Sequence, residues 1–170
     1  MKEFELVFYT KPNGECPVSE FFIDLLEQHR NVMIHKTLGA MDKLQLYGNR
    51  PKGDFTKFVD DGIFELRAQT KTDISRIMFF FDKQGRIVLC NGFVKKSQRC
   101  PNSEIEMAKR CRTDYLARCR EADVKQGKKE IPVPFTVGAK FRPLLDRLIE
   151  EATSRRSIGD NETAERDRGR

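Results

Sequence analysis

The apolar residues of this chain fall into short runs whose rhythm passes from strand-like to helix-like and back. EFELVFYT, residues 3–10, alternates and is rich in aromatics, which predicts a first strand. KPNGECP follows as a loop crowded with turn residues. Pro17 and Ser19 then open an amphipathic stretch that sets Phe22, Leu25 and Leu26 on one face. A second helix is expected over about 32–47, with Ile34, Leu38 and Met41 at helical spacing and Gly48 as its stop. Together the two read as an antiparallel helical hairpin. Strands come next: FTKFV, then IFELRAQ after the Asp61-Gly62 turn, DISRIMFFF and RIVLCNGFV, with residues 82–85 turning between the last two. Those last two are apolar on both faces and belong in the middle of a sheet. IFELRAQ alternates instead, which sends Phe64 and Leu66 inward and Glu65, Arg67 and Gln69 the other way. A closing helix begins near Asn102 or Ser103, where Ser103 and Glu106 have capping-box spacing, and Ile105, Ala108 and Tyr115 form its buried side. The expected class is α+β, with helices packed on a small antiparallel sheet.

This order ends near Arg120. Residues 1–120 therefore read as one domain and 121–170 as an appendage. EADVKQGKKEIPVPF reads as a linker, about 141–155 has the spacing of a short amphipathic helix, and the remaining polar tail is expected to be disordered. Hydrophobic residues make up 38% of the 170 and charged residues 34%, a modest core under a heavily charged surface. The net charge of +6 is compatible with nucleic acid without requiring it. No apolar run is long enough to span a bilayer and the N-terminus lacks a signal-peptide core, so a cytoplasmic protein is expected. The five cysteines are scattered and never form C-x-x-C, which argues for free thiols over zinc or disulfides. Both histidines, His29 and His35, lie in the helical region, so the commonest general base is missing from the strands.

Candidate chemistry enters where RIVLCNGFVKKSQRCP leaves the sheet on paired lysines. Arg76 stands out because alternation puts it beside Ile74, Met78 and Phe80. An arginine among apolar residues requires a buried carboxylate or a ligand phosphate. Arg67 fits either a simple pair with Glu65 or an anion site. Lys95 and Lys96 fit either edge-strand gatekeepers or a phosphate contact. Phe79, Phe80, Phe81 and Cys90 read as core. Lys109 and Arg112 read as a solvated helix face.

Several motifs recur in order: ELR at residues 65–67, the RI-hydrophobic-aromatic-aromatic strand from Arg76, GFVKKSQRCP from Gly92, and E-I-x-x-A-x-x-R from Glu104 to Arg110. With PVSEFFIDL and KLQLYGN upstream, the chain resembles the RelE/ParE toxin superfamily, in its phage-derived HigB-like branch, over roughly residues 3–120. The resemblance implies a RelE-like fold and the toxin of a type II toxin–antitoxin pair, with a cognate antitoxin as partner. It implies a metal-independent endoribonuclease that needs no cofactor and cuts mRNA on the ribosome. ParE-like members instead poison DNA gyrase without cutting RNA, and that alternative stands beside the first.

By the same resemblance Arg67 and Arg76 match the arginines that clamp the scissile phosphate, and Lys95 and Lys96 match the basic pair at the strand end. Relatives often carry LHGF in the last strand, whereas this chain has CNGF, with Asn91 at the histidine position. Asparagine cannot accept a proton, which leaves Lys95 or Lys96 as acid or base if neighbouring cations lower the lysine pKa. Lys57, Arg86, Asn91, Arg99 and Arg110 are the expected RNA contacts around this centre.

Overall fold

The computed structural model describes residues 3–50, 54–95 and 99–126, together with Glu150. Its elements run β1 (Leu6–Phe8), α1 (Pro17–Glu27), α2 (Asn31–Tyr47), β2 (Thr56–Asp60), β3 (Ile63–Gln69), β4 (Ile74–Phe81), β5 (Ile87–Lys95) and α3 (Asn102–Gln126). The helix expected over about 141–155 and the tail beyond it lie outside the described residues, Glu150 excepted. The α+β class holds: a helical hairpin, a five-stranded sheet and a C-terminal helix, an arrangement that fits a RelE-like fold.

Local chemistry explains the element ends. Pro17 opens α1 at a position whose N–H has no helical partner in any case. α2 stops at Gly48, whose N–H bonds back to the Leu44 carbonyl at 2.8 Å with φ at +60°. The Ser103 capping box does not form at α3. The Pro101 carbonyl accepts the N–H groups of Glu104 and Ile105 at 3.1 and 3.3 Å, so Ser103 lies inside the first turn.

The sheet order is β1-β5-β4-β3-β2. The sheet is antiparallel as expected except where β1 meets β5, which run parallel. The chain between β1 and β2 is occupied by the hairpin, so β1 reaches β5 across the sheet rather than through a tight turn. β4 and β5 are central, as their apolar character requires.

Both faces of the sheet are covered. The α1–α2 hairpin packs on one, around Phe22, Leu25, Ile34, Leu44, Leu66 and Phe79. α3 lies on the other, with Ala108, Cys111 and Tyr115 against Met78, Phe80, Val88 and Cys90. Fully burying one such side chain contributes roughly 1.5–3 kcal/mol, so two covered faces hold the sheet firmly. Phe79 and Phe80 are core residues, as expected. Glu65 is not at an open surface: α3 roofs its face, and it is only 1% exposed.

One irregularity decides where β5 aims its side chains. Between Phe79↔Leu89 and Met78↔Asn91 the register shifts, and Cys90 is the extra residue. Cys90 and Asn91 consequently both face α3, and Phe93 and Lys95 follow Asn91. Had alternation continued unbroken from Ile87, Lys95 would face the hairpin with Leu89.

Candidate anion-binding site

Cross-strand register aligns three rows of side chains on the α3 face. Lys57 stands opposite Glu65, Glu65 opposite Met78, and Met78 opposite Asn91. In the next row Arg67 stands opposite Arg76 and Arg76 opposite Phe93. In the last, Gln69 faces Ile74 and Ile74 faces Lys95. Residues directly opposite on adjacent strands point to the same face. Arg67, Arg76, Lys95 and Lys57 therefore share one side of one sheet.

The electrostatics of the group are uneven. Arg76 Nη1 bonds Glu65 Oε2 at 2.6 Å, and both side chains are almost wholly buried. Of the two partners that a buried Arg76 can take, the structure holds the carboxylate. Arg67 is half-buried: its Nη2 donates to the Asp54 carbonyl at 2.8 Å, and its Nε lies 3.9 Å from Glu65 Oε1. Lys95 is only 5% exposed, and its Nζ has no hydrogen-bond partner among the described residues. Burial, and next to it the charge of Arg76, hold the Lys95 ammonium below the ordinary lysine pKa, opposed in part by Glu65. A buried donor group without a partner is costly, which makes Lys95 the candidate ligand contact of this group.

The remaining expected contacts divide. Lys57 is exposed on the edge strand and close enough to act electrostatically on Lys95. Lys96 lies outside the described residues. Asn91 is buried at 2% exposure; its amide nitrogen donates to Glu104 Oε2 at 2.6 Å and its Oδ1 has no hydrogen-bond partner among the described residues. It braces the first turn of α3 rather than presenting a donor at the surface. Arg86 is not at this site. It is buried in an ion pair with Asp82 at 2.7 Å and donates to Tyr115 Oη at 3.1 Å, which fastens α3 to the β4–β5 turn. Arg99 is exposed just before α3. Arg110 is exposed on α3 and lines a cleft of about 590 Å³ with Tyr9, Lys11 and Cys111, at the β1 edge and away from β3. Lys109 and Arg112 are tied rather than solvated: they pair with Asp60 and Asp61 at 2.6 Å each and clip α3 to the β2–β3 turn.

Sequence reasoning offered Glu65 only as a partner of Arg67, not of Arg76, and missed Glu104. The signal for Glu65 was present, since it alternates in step with Arg67 on a face that an apolar stripe of α3 must cover. Among the described residues no three His, Cys, Asp or Glu side chains converge as metal ligands do. The geometry gathers four cations, Lys57, Arg67, Arg76 and Lys95, on the sheet face that carries Glu65, with Glu104 held by Asn91. Such a set can hold an oxyanion at Lys95 and Arg67 while Glu65 fixes the Arg76 guanidinium in place.

A family model described as "Phage derived protein Gp49-like (DUF891)" matches residues 22–113. That span runs from α1 into α3 and includes every member of the cationic group. No curated protein matches the chain.

Proposed function

We propose that this chain, which belongs to the Gp49-like family of phage-derived proteins, acts as a ribosome-dependent endoribonuclease toxin whose cationic sheet face receives the scissile phosphate of mRNA. The family is toxin-like, associated with RelE-type proteins, and such toxins generally pair with an antitoxin. The observation that carries the reading is Lys95: a buried ammonium with no hydrogen-bond partner among the described residues, on the same face as Arg67 and Arg76.

In this reading the RNA 2′-oxygen attacks its own neighbouring phosphorus. The P–O5′ bond breaks, leaving a 2′,3′-cyclic phosphate and a 5′-hydroxyl. No metal is required if positioned cations stabilise the extra charge on the phosphorane, which is where most of the barrier lowering in such reactions comes from. Arg67 and Arg76 supply that charge. The 2′-OH must lose a proton and the 5′-oxygen must gain one. Lys95, with its pKa lowered, carries a proton in this exchange, and Lys96 is the second candidate. Lys57 and Arg99 contact the backbone of the bound RNA. The toxin domain, expected to end near residue 120, extends in this reading to the end of α3 at Gln126 and belongs to the HigB-like branch, with the residues beyond as an appendage; no membrane-spanning role is assigned, and no helix among the described residues is long and apolar enough to cross one.

Two observations favour a second reading, in which the site binds without cutting, as gyrase-poisoning members do. Arg76 is already paired with Glu65, and the strand position that carries histidine in relatives holds a buried asparagine. Sequencing RNA 5′ ends after brief expression separates the two. Discrete cuts within codons support the ribonuclease; growth arrest with intact mRNA supports the binding protein.

A further inference from the structure

We infer that the groove between α2 and the end of β3 is a docking surface for an acidic, amphipathic helix of a partner protein. Two open cavities, of about 830 and 530 Å³, share Val32, Lys36 and Gln69 and so form one continuous trough. It runs from the β3–β4 turn at Lys71 along α2 to Lys43, Phe55 and Arg67. Neither cavity is lined by an Asp or Glu, whereas Lys36, Lys43, Lys71 and Arg67 all line the trough. Among the described residues no carboxylate pairs with Lys36, Lys43 or Lys71.

The wall and floor are apolar. Val32 is 66% exposed in mid-trough, and Met33, Ala40, Phe55 and Ala68 lie beneath it. Val32, Lys36, Gly39 and Lys43 follow one another at helical spacing along the same face of α2. Gly39 is the telling residue. Glycine inside a helix costs up to about 1 kcal/mol relative to alanine, and a Cβ built at Gly39 meets nothing within 4 Å. Nothing inside the described fold requires glycine there. What glycine provides is bare backbone in the groove, which lets a second helix approach closely, with lysines to either side for its carboxylates. The apolar floor and the exposed valine favour a protein helix over a nucleic-acid backbone, which would use the cations but not the floor. The trough shares Arg67 with the phosphate site, so the inference is carried by Lys36, Lys43, Lys71, Val32 and Gly39 and not by Arg67.

The test uses the full chain and three fluorescent probes. One is an amphipathic peptide of about five helical turns with Glu on one face and Leu and Ala on the other. The second is the same peptide with Lys for Glu, and the third an oligouridylate of about a dozen nucleotides. The acidic peptide is expected to bind and its lysine counterpart not to. Gly39→Trp fills the trough and is expected to weaken the acidic peptide at least about tenfold, about 1.4 kcal/mol, with oligouridylate unchanged. The Lys36→Glu/Lys43→Glu double variant is expected to do the same, and decides alone if Gly39→Trp fails to fold by circular dichroism. Failure of the acidic peptide to bind overturns the inference. So does binding that survives both folded variants, and so does loss of oligouridylate rather than peptide in Gly39→Trp, which would make the trough a nucleic-acid track.

Discussion

Arg67 and Arg76 stand directly opposite each other on β3 and β4, on one face of the sheet. Like charges placed so are destabilising, and Glu65 is the residue that makes the arrangement tolerable. It bonds Arg76 at 2.6 Å and approaches Arg67 to 3.9 Å. Removing one member of a buried ion pair leaves the other uncompensated, at a cost of about 3–5 kcal/mol. Glu65→Ala and Arg76→Ala are therefore expected to lower the urea midpoint sharply, whereas Arg67→Ala, whose side chain is 29% exposed, changes the unfolding free energy by less than about 1 kcal/mol. Denaturation curves of the three variants check this. Loss of toxicity in Arg76→Ala is consequently ambiguous between site and fold, while in Arg67→Ala it reports on the site.

Gly92 is held to glycine by the hairpin. A Cβ there would sit 2.5 Å from Phe21 Cδ1 and 2.7 Å from Cγ, closer than side chains pack. α1 thus lies against bare β5 backbone just where the strand resumes after its bulge. Gly92→Ala is expected to destabilise by about 1–3 kcal/mol, as overpacking does, measured by thermal or urea unfolding. Phe21→Leu in the same chain should recover part of the loss.

Tyr115 joins α3 to the β4–β5 turn. Its hydroxyl donates to Asp82 and accepts from Arg86, each at 3.1 Å. Burial first, and the Asp82 charge after it, raise the tyrosine pKa above its ordinary value. A group whose folded pKa is raised adds stability that is whole below its unfolded pKa, about 10 for tyrosine, and is lost as pH rises beyond it. Tyr115→Phe is expected to cost about 1–2 kcal/mol at neutral pH. The gap between wild type and variant should narrow above about pH 10, in urea titrations run across that range.

The architecture was legible because each element carries its own period. The hairpin, the two central strands and the α3 stripe all follow from apolar spacing, and Pro17 and Gly48 mark helix ends with backbone chemistry alone. What escaped depends on pairing between distant segments. That β1 runs parallel to β5 is set by which edge of the sheet is vacant, and no local pattern records it. The candidate site was half legible. Arg67 and Arg76 share a face because β3 and β4 alternate regularly. Lys95 joins them only because Cys90 bulges out of register, and C-N-G-F gives no sign of that. Arg86 looked like one more surface cation, yet Asp82 four residues earlier and Tyr115 in α3 bury it.

The measurement that bears most directly on the phosphate site is Lys95→Met, read by RNA 5′-end sequencing after brief expression and by thermal unfolding of the purified protein. Methionine keeps the aliphatic stem and removes an ammonium that lacks a hydrogen-bond partner among the described residues. The expected result is discrete 5′ ends with the wild type and none with the variant, at an unfolding midpoint equal to or above that of the wild type. The same cuts persisting in a folded Lys95→Met protein would contradict the assignment of the phosphate to this face of the sheet.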